Sequence, residues 1–199
     1  MTREIGIYLF DEVEVLDFAG PFEVFSTASR IASQRAPGRP PPFRLTLVAD
    51  SPRTVRARGG LAVVAEASFA SHPRFDLLLV PGGDITAERP RAVVRDWIRR
   101  TAPRAAVTAS VCTGAFLLAE AGLLEGRRAT THWEDLDDLR HQFPAVRVET
   151  DCAWVDEGSV VTSAGISAGL DMSLHLVARL ATPELADRTA RQMDHAWRK

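Results

Sequence analysis

The sequence predicts an α/β fold built on a mainly parallel central sheet. Three observations carry that prediction. Apolar, strand-like runs alternate with stretches of helical periodicity through most of the 199 residues, the pattern of repeated β-α-β units. Residues 76–80, DLLLV, are short and almost wholly apolar, as strands covered on both faces are. Residues 110–124, SVCTGAFLLAEAGLL, read as the end of a strand, a one-residue turn at Cys112 and a helix that starts at once.

In chain order, residues 5–10 form a short apolar strand. Residues 19–32 form a helix with Phe22, Phe25, Ala28 and Ile31 on one face. Residues 34–42, rich in Pro, Arg and Gly, form an exposed loop. A second strand spans 43–49, with Leu45, Leu47 and Ala49 at alternate positions. Residues 54–64, interrupted by Gly59 and Gly60, read as a small hairpin. The DLLLV strand ends in Pro81-Gly82-Gly83. A helix follows at 90–101, with Pro90 in its first turn and Val93, Val94, Trp97 and Ile98 inward. A strand at 106–111 leads into the elbow helix, where Ala115, Leu118 and Ala119 recur at helical spacing and Gly122 supplies a stop. Next come a brief strand at 128–131, a helix at 134–143, and two strands over 147–163 that turn at Asp156-Glu157-Gly158. A long helix at 167–181, capped by Ser167, and a last helix from Pro183 to about Trp197 complete the order. No repeat or linker divides the chain, which reads as one domain over 1–199.

Hydrophobic residues make up 46% of the chain and charged residues 25%, as in soluble globular proteins. The net charge of -2, with no long block of one sign, gives no electrostatic draw toward nucleic acid. Two cysteines are too few for a disulfide framework, and an unpaired elbow cysteine suits a reducing compartment. The N-terminus lacks a secretion pattern, and no apolar run approaches the roughly 20 residues of a membrane span. The expected location is the cytoplasm, away from membranes. Neither CxxC nor HExxH occurs, nor a phosphate-binding glycine loop, so no metal or cofactor is expected. Asp135, Asp137 and Asp138 read as a solvated helix face.

Three chemical handles fall at the carboxyl ends of expected strands, where open α/β sheets bind ligands. Cys112 at the elbow faces the unpaired amides of a helix start, which favour its thiolate, the nucleophilic form. A small buried hydrophobe is the plain alternative. Asp17, in VLDFAGP, is the acid or base candidate; it equally reads as a cap for the helix starting near Gly20. Gly82 and Gly83 could approach a ligand closely and form an oxyanion hole with the Thr113 amide, or simply make a tight turn. The Thr113 side chain could bond Cys112 or Asp17, or be there simply as a threonine that caps the helix start. His132, in ATTHWE, follows a short strand and reads either as a crevice residue or as a histidine with no chemistry. Ile85, Trp133 and Ile166 are the expected walls. His72, His141, His175 and His195 read as structural, and Cys152 as inert packing in the middle of a strand.

The segments VLDFAGPFEVF, DLLLVPGG, SVCTGAFLLAEAGLLEGRRATTHW and TSAGISAGLDMSLHLV, in this order and spacing, resemble the ThiJ/PfpI superfamily over about residues 4–181. Asp in LDFAGP, Cys-Thr-Gly at the elbow and TTHW downstream are most similar to its isocyanide hydratase branch and to the amidase-like domain of AraC-type regulators. The resemblance implies a flavodoxin-like sandwich and a homodimer with its sites near the interface. It places the nucleophile on Cys112, the acidic partner on Asp17, and the oxyanion amides on Gly83 (or Gly82) and Thr113. Peptidase-like members carry histidine directly after the cysteine; Thr113 stands there instead, which argues against a protease. TSAGISAGLD lacks the His-x-Glu pair of the glutamine amidotransferases. With the sequence ending at Lys199, the helix-turn-helix half of a regulator is not expected.

These features lead to an expected function: a cysteine-dependent hydratase or hydrolase for a small organic electrophile, with isocyanide hydration the concrete case. Gly82, Gly83, His132 and Ile166 would contact the substrate. The alternatives are a redox or stress sensor using Cys112, and a ligand-binding regulator domain without its DNA-binding half.

Overall fold

A computed structural model describes residues 1–198. Its core is a seven-stranded sheet in the order β10-β11-β7-β6-β1-β2-β5. The central strands are β1 (Arg3–Tyr8), β6 (Leu77–Val80) and β7 (Val107–Val111). Every residue of β6 and β7 is buried, which is why DLLLV carries no alternation of polar and apolar positions. Outward lie β2 (Phe43–Ala49) and the two-residue edge strand β5 (Ala67–Ser68) on one side, and β11 (Val160–Ser163) and β10 (Trp154–Asp156) on the other. All pairings are parallel except β10 with β11.

Leaving out the two edge strands, the chain order is that of the flavodoxin-like sheet: second, first, third, fourth, fifth. The path runs from β1 outward to β2, then crosses back to β6 on the other side. The carboxyl ends of β1, β6 and β7 therefore meet at the switch point. Helices α1 (Val15–Arg35), α5 (Ala168–Leu180) and α6 (Pro183–Gln192) pack together as one layer. Helices α2 (Ala92–Thr101) and α3 (Gly114–Glu120) pack on each other. A separate hairpin joins β3 (Arg53–Arg56) and β4 (Ala62–Ala65), and a small two-strand pair joins β8 (Arg128–Ala129) and β9 (Arg147–Val148). Helix α4 (Leu136–Gln142) follows a short 3-10 turn at Trp133–Asp135. Among the described residues no helix is long and apolar enough to cross a membrane.

Several boundaries differ from the sequence expectation, each for a local reason. Helix α1 starts at Val15, not residue 19, and runs straight through Gly20-Pro21. Both of those residues are buried, so packing overrides their usual role as punctuation. Ser167 occupies the cap position of α5, but its side chain makes no capping bond. Helix α6 ends at Gln192 rather than near Trp197; beyond it, buried Asp171 accepts from the Arg198 amide at 3.2 Å and pairs with His195 at 2.7 Å, drawing the tail back onto α5. Cys152 sits before β10 rather than inside a strand.

Candidate active site

Strand β7 ends at Val111 and α3 begins at Gly114, so the chain reverses within two residues. Cys112 takes the strain with φ of 56°, a left-handed conformation that costs a non-glycine residue roughly 1–3 kcal/mol. Its surroundings hold it there. The Cys112 amide donates to the Ser163 carbonyl at 3.1 Å. Its carbonyl accepts from the Thr131 hydroxyl at 2.8 Å and from the Ala115 amide at 3.3 Å. Gly114 is required for the close approach of elbow to sheet: a Cβ there would stand 2.2 Å from the Val80 carbonyl oxygen. In the sequence Thr131 ends a short strand and stands in TTHW, which gives it no role of its own. Thr131→Val should leave the elbow carbonyl short of a buried donor and lower stability by about 1–2 kcal/mol, read by urea denaturation; an unchanged midpoint would show that the elbow does not need this bond.

Asp17 is not a helix cap. Glu14 holds the cap position, its side chain accepting from the Val15 amide at 3.2 Å. Asp17 lies in the first turn of α1 and is fully buried. Its Oδ2 accepts from the Gly82 amide at 3.1 Å, and its Oδ1 is buried without a regular hydrogen bond. Burial pushes the carboxyl up to about 7, and the charge of Glu14 adds to the rise. The Gly82 amide and the Cys112 thiol, both donating to the carboxylate, oppose it.

Cys112 differs from its expectation in one respect. Burial and then the adjacent Asp17 charge push the thiol up to about 12, outweighing the Thr113 amide, which does favour the thiolate. The helix start is a weaker influence than the loss of water around the sulfur, which is in a residue only 7% exposed. The pair therefore ionises first at Asp17, and near pH 8 it is carboxylate plus thiol.

The glycine pair also differs. The Gly82 amide is taken by Asp17, and the Gly83 amide donates to Thr113 Oγ1 at 2.9 Å while that hydroxyl donates to the Gly83 carbonyl, also at 2.9 Å. Both amides thus position catalytic candidates instead of standing open as an oxyanion hole. Thr113 binds the glycine turn; it does not bond Asp17. Gly82 must be glycine for this fit, since a Cβ would lie 2.5 Å from Thr113 Oγ1 and 3.0 Å from Asp17 Oδ2.

Above the sulfur lies a cleft of about 270 Å³ whose walls bring together Cys112, Thr113, Gly83, His132 and Ile166. Ile166 projects from a loop with φ of 48°, a conformation that a β-branched residue rarely adopts. Ile85 is buried elsewhere and Trp133 points out to solvent, so of the three expected walls only Ile166 is one. Asp135 turns into the cleft instead of sitting on a solvated face, and burial raises its carboxyl. Glu14, Arg58 and Asp84 complete the mouth without having been legible in the sequence. His175 and His195 are bound to Asp156 and Asp171, each at 2.7 Å, and His72 accepts from Trp97 Nε1 at 3.1 Å. Among the described residues no group of three His, Cys, Asp or Glu side chains could hold a metal ion.

Known proteins resemble this chain in sequence and fold. The chain is 32% identical over 197 residues to an isonitrile hydratase of Pseudomonas putida, a match covering 98% of this chain and 80% of that one. It is 28% identical to the HTH-type transcriptional regulator CdhR of Pseudomonas aeruginosa, of which it spans 55%. Among solved structures, a ThiJ/PfpI family protein from Pseudomonas syringae superposes with a TM-score of 0.86 at 29% identity, covering all of this chain and 77% of the other. The DJ-1/PfpI family profile matches residues 3–179, a span that holds the whole sheet, the elbow and the buried aspartate. The chain belongs to the DJ-1/PfpI family.

Proposed function

We propose that the protein is a cysteine-dependent hydratase acting on a small electrophile, with isocyanide to N-substituted formamide as the concrete reaction. The observation that carries this reading is the pairing of the Cys112 thiol with the buried Asp17 carboxyl, whose proton affinity lies near neutrality. The relative named as an isonitrile hydratase supports the choice of substrate. Attack of sulfur on the terminal isocyanide carbon requires the thiol proton to leave. Asp17 takes it and delivers it to the same carbon, so that an S–C and a C–H bond form and a thioimidate results. Asp17, ionised again, draws a proton from water as the water oxygen bonds to that carbon, and the proton passes to nitrogen. The C–S bond then breaks, the hydroxyl proton returns to sulfur through Asp17, and the formamide leaves. One water is consumed and the thiol is restored.

Purified protein should convert an aliphatic or aryl isocyanide to the formamide, and Cys112→Ser should lose at least a thousandfold in rate, the scale on which removal of a covalent nucleophile acts. Equal rates for the two proteins would remove the assignment. A homodimer belongs to the same proposal, and a monomer mass by sedimentation at micromolar concentration would remove that part.

Ligand binding without turnover is favoured by a different observation. The raised thiol leaves little thiolate at neutral pH, and a regulator is among the relatives. The same property counts against a redox sensor, because peroxide oxidises the thiolate. Mass spectrometry after mild peroxide decides between these: selective sulfinic acid at Cys112, with no turnover of any isocyanide, would favour the sensor.

A further inference from the structure

Charge around the Cys112 cleft is one-sided. Four carboxylates line it, those of Glu14, Asp84, Glu134 and Asp135, against one arginine, Arg58, and His132. Arg58 is already matched, its Nη1 standing 3.4 Å from Glu14 Oε2. Asp135 and Glu134 flank His132 Nδ1 at 3.5 and 3.7 Å, so even a protonated His132 offsets only one of them. Asp84 forms no ion pair among the described residues; its Oδ1 accepts from the Thr86 amide at 3.0 Å, which favours the charged form. Asp84 and Glu134 are both exposed at the mouth. In a cleft this small, a charge on a bound molecule lies within about one Debye length of each of them, roughly 8–10 Å at ordinary salt. The same cleft is marked as a place of reaction by the Cys112 thiol and, behind it, by Asp17, whose Oδ1 is buried without a regular hydrogen bond.

We propose that the Cys112 cleft selects cationic small molecules: its substrate is an electrophile carrying an ammonium or similar positive group a few bonds from the reacting carbon. This rests on Cys112 being the reacting group and deepens the hydratase reading by naming the charge of the substrate. Neutral compounds enter without this attraction. Anionic ones meet Asp84 and Glu134 first, and the one opposing cation, Arg58, is held by Glu14.

The test needs no turnover. In a Cys152→Ser background, Cys112 is the remaining thiol. Its second-order rates are measured with three methanethiosulfonates: the neutral methyl, the cationic trimethylammonioethyl and the anionic sulfonatoethyl reagents. In each case the Cys112 sulfur forms a disulfide bond with the thiol half of the reagent, methanesulfinate leaves with the bonding pair, and the thiol proton goes to solvent. Rates are normalised to those of 2-mercaptoethanol at the same pH and salt. The normalised cation-to-anion ratio is expected to be about tenfold or more at low salt, and to fall several-fold at 1 M, where the screening length shrinks to about 3 Å. Asp84→Asn with Glu134→Gln should bring the ratio toward one, and Asp84→Asn alone part of the way. A low-salt ratio within twofold of one, or a preference for the anion, overturns the proposal. The two readings fail separately. If no isocyanide is hydrated but the ratio holds, the charge selection stands and the hydratase falls; if isocyanides are hydrated and the ratio is one, only the charge selection falls.

Discussion

Replacing Asp17 by asparagine is expected to make the Cys112 thiol more acidic and, at the same time, the protein a poorer catalyst. The two effects separate because Asp17 does two things. As a charge beside the sulfur it resists formation of the thiolate, which is part of why the thiol stands at about 12. In the proposed reaction it would also be the base that removes the thiol proton during attack and carries it to carbon. Asparagine keeps an oxygen for the Gly82 amide, now 3.1 Å from Asp17 Oδ2, so the site should keep its shape. Isocyanide hydration should fall about 100- to 10,000-fold, the usual range for a lost general acid–base. The pH profile adds a second readout. Wild-type kcat/KM should rise as pH rises through about 7, because the proposed reaction needs the carboxylate and Asp17 ionises there. The variant should lack that limb. Thiolate absorbance in the ultraviolet, followed against pH, measures the thiol directly. A variant whose rate climbs with its thiolate fraction would show that the aspartate only hinders and that sulfur works alone.

The elements were legible where pattern and packing agree. DLLLV is a buried parallel strand because it is apolar on both faces, and the elbow was readable because a strand pattern abuts a helical one at Cys112. Boundaries failed where burial overrode punctuation. Gly20-Pro21 reads as a break, yet both residues are buried inside α1, Gly20 against Leu170 of α5, so from sequence Asp17 falls outside the helix and passes for a cap. Cys112, Asp17 and the glycine pair were found together because each follows a strand at one sheet edge. Their roles were not legible, since these depend on which amide meets which acceptor. Only the fold brings the Gly83 amide to the Thr113 hydroxyl, 30 residues away in sequence. The thiol's state is not legible for the same reason: helix spacing advertises the amides, but burial of the sulfur is a tertiary property. Glu14 and Arg58 are common residue types outside any motif, and TTHW does not reveal that Thr131 holds the elbow carbonyl.

Asp17 also sets the largest expected effect on stability. Its folded value of about 7 lies above the roughly 3.9 of an unfolded aspartate, so the native state binds the proton more tightly than the unfolded chain does. The sign follows from that difference. The contribution is most favourable below about pH 3.9, is lost progressively as pH rises to about 7, and is constant above. Three units correspond to a cost of about 4 kcal/mol at pH 8, a large part of the 5–15 kcal/mol typical of a folded domain. Asp17→Asn should therefore be more stable than wild type at pH 8, by about 2–4 kcal/mol, and nearly equal at pH 4. The difference between the two proteins is the quantity to measure, because Asp11, Asp50 and Asp156, all held below their usual range, destabilise both alike as acid protonates them. Urea denaturation at the two pH values reads it. A variant no more stable at pH 8 would mean that the carboxylate is solvated or compensated in the native state, and the proton affinity on which the mechanism depends would go with it. A gain at pH 8 joined to a loss of turnover would explain why a buried, half-satisfied carboxylate persists under the elbow. An isosteric amide would fold better there but could not take the proton from Cys112.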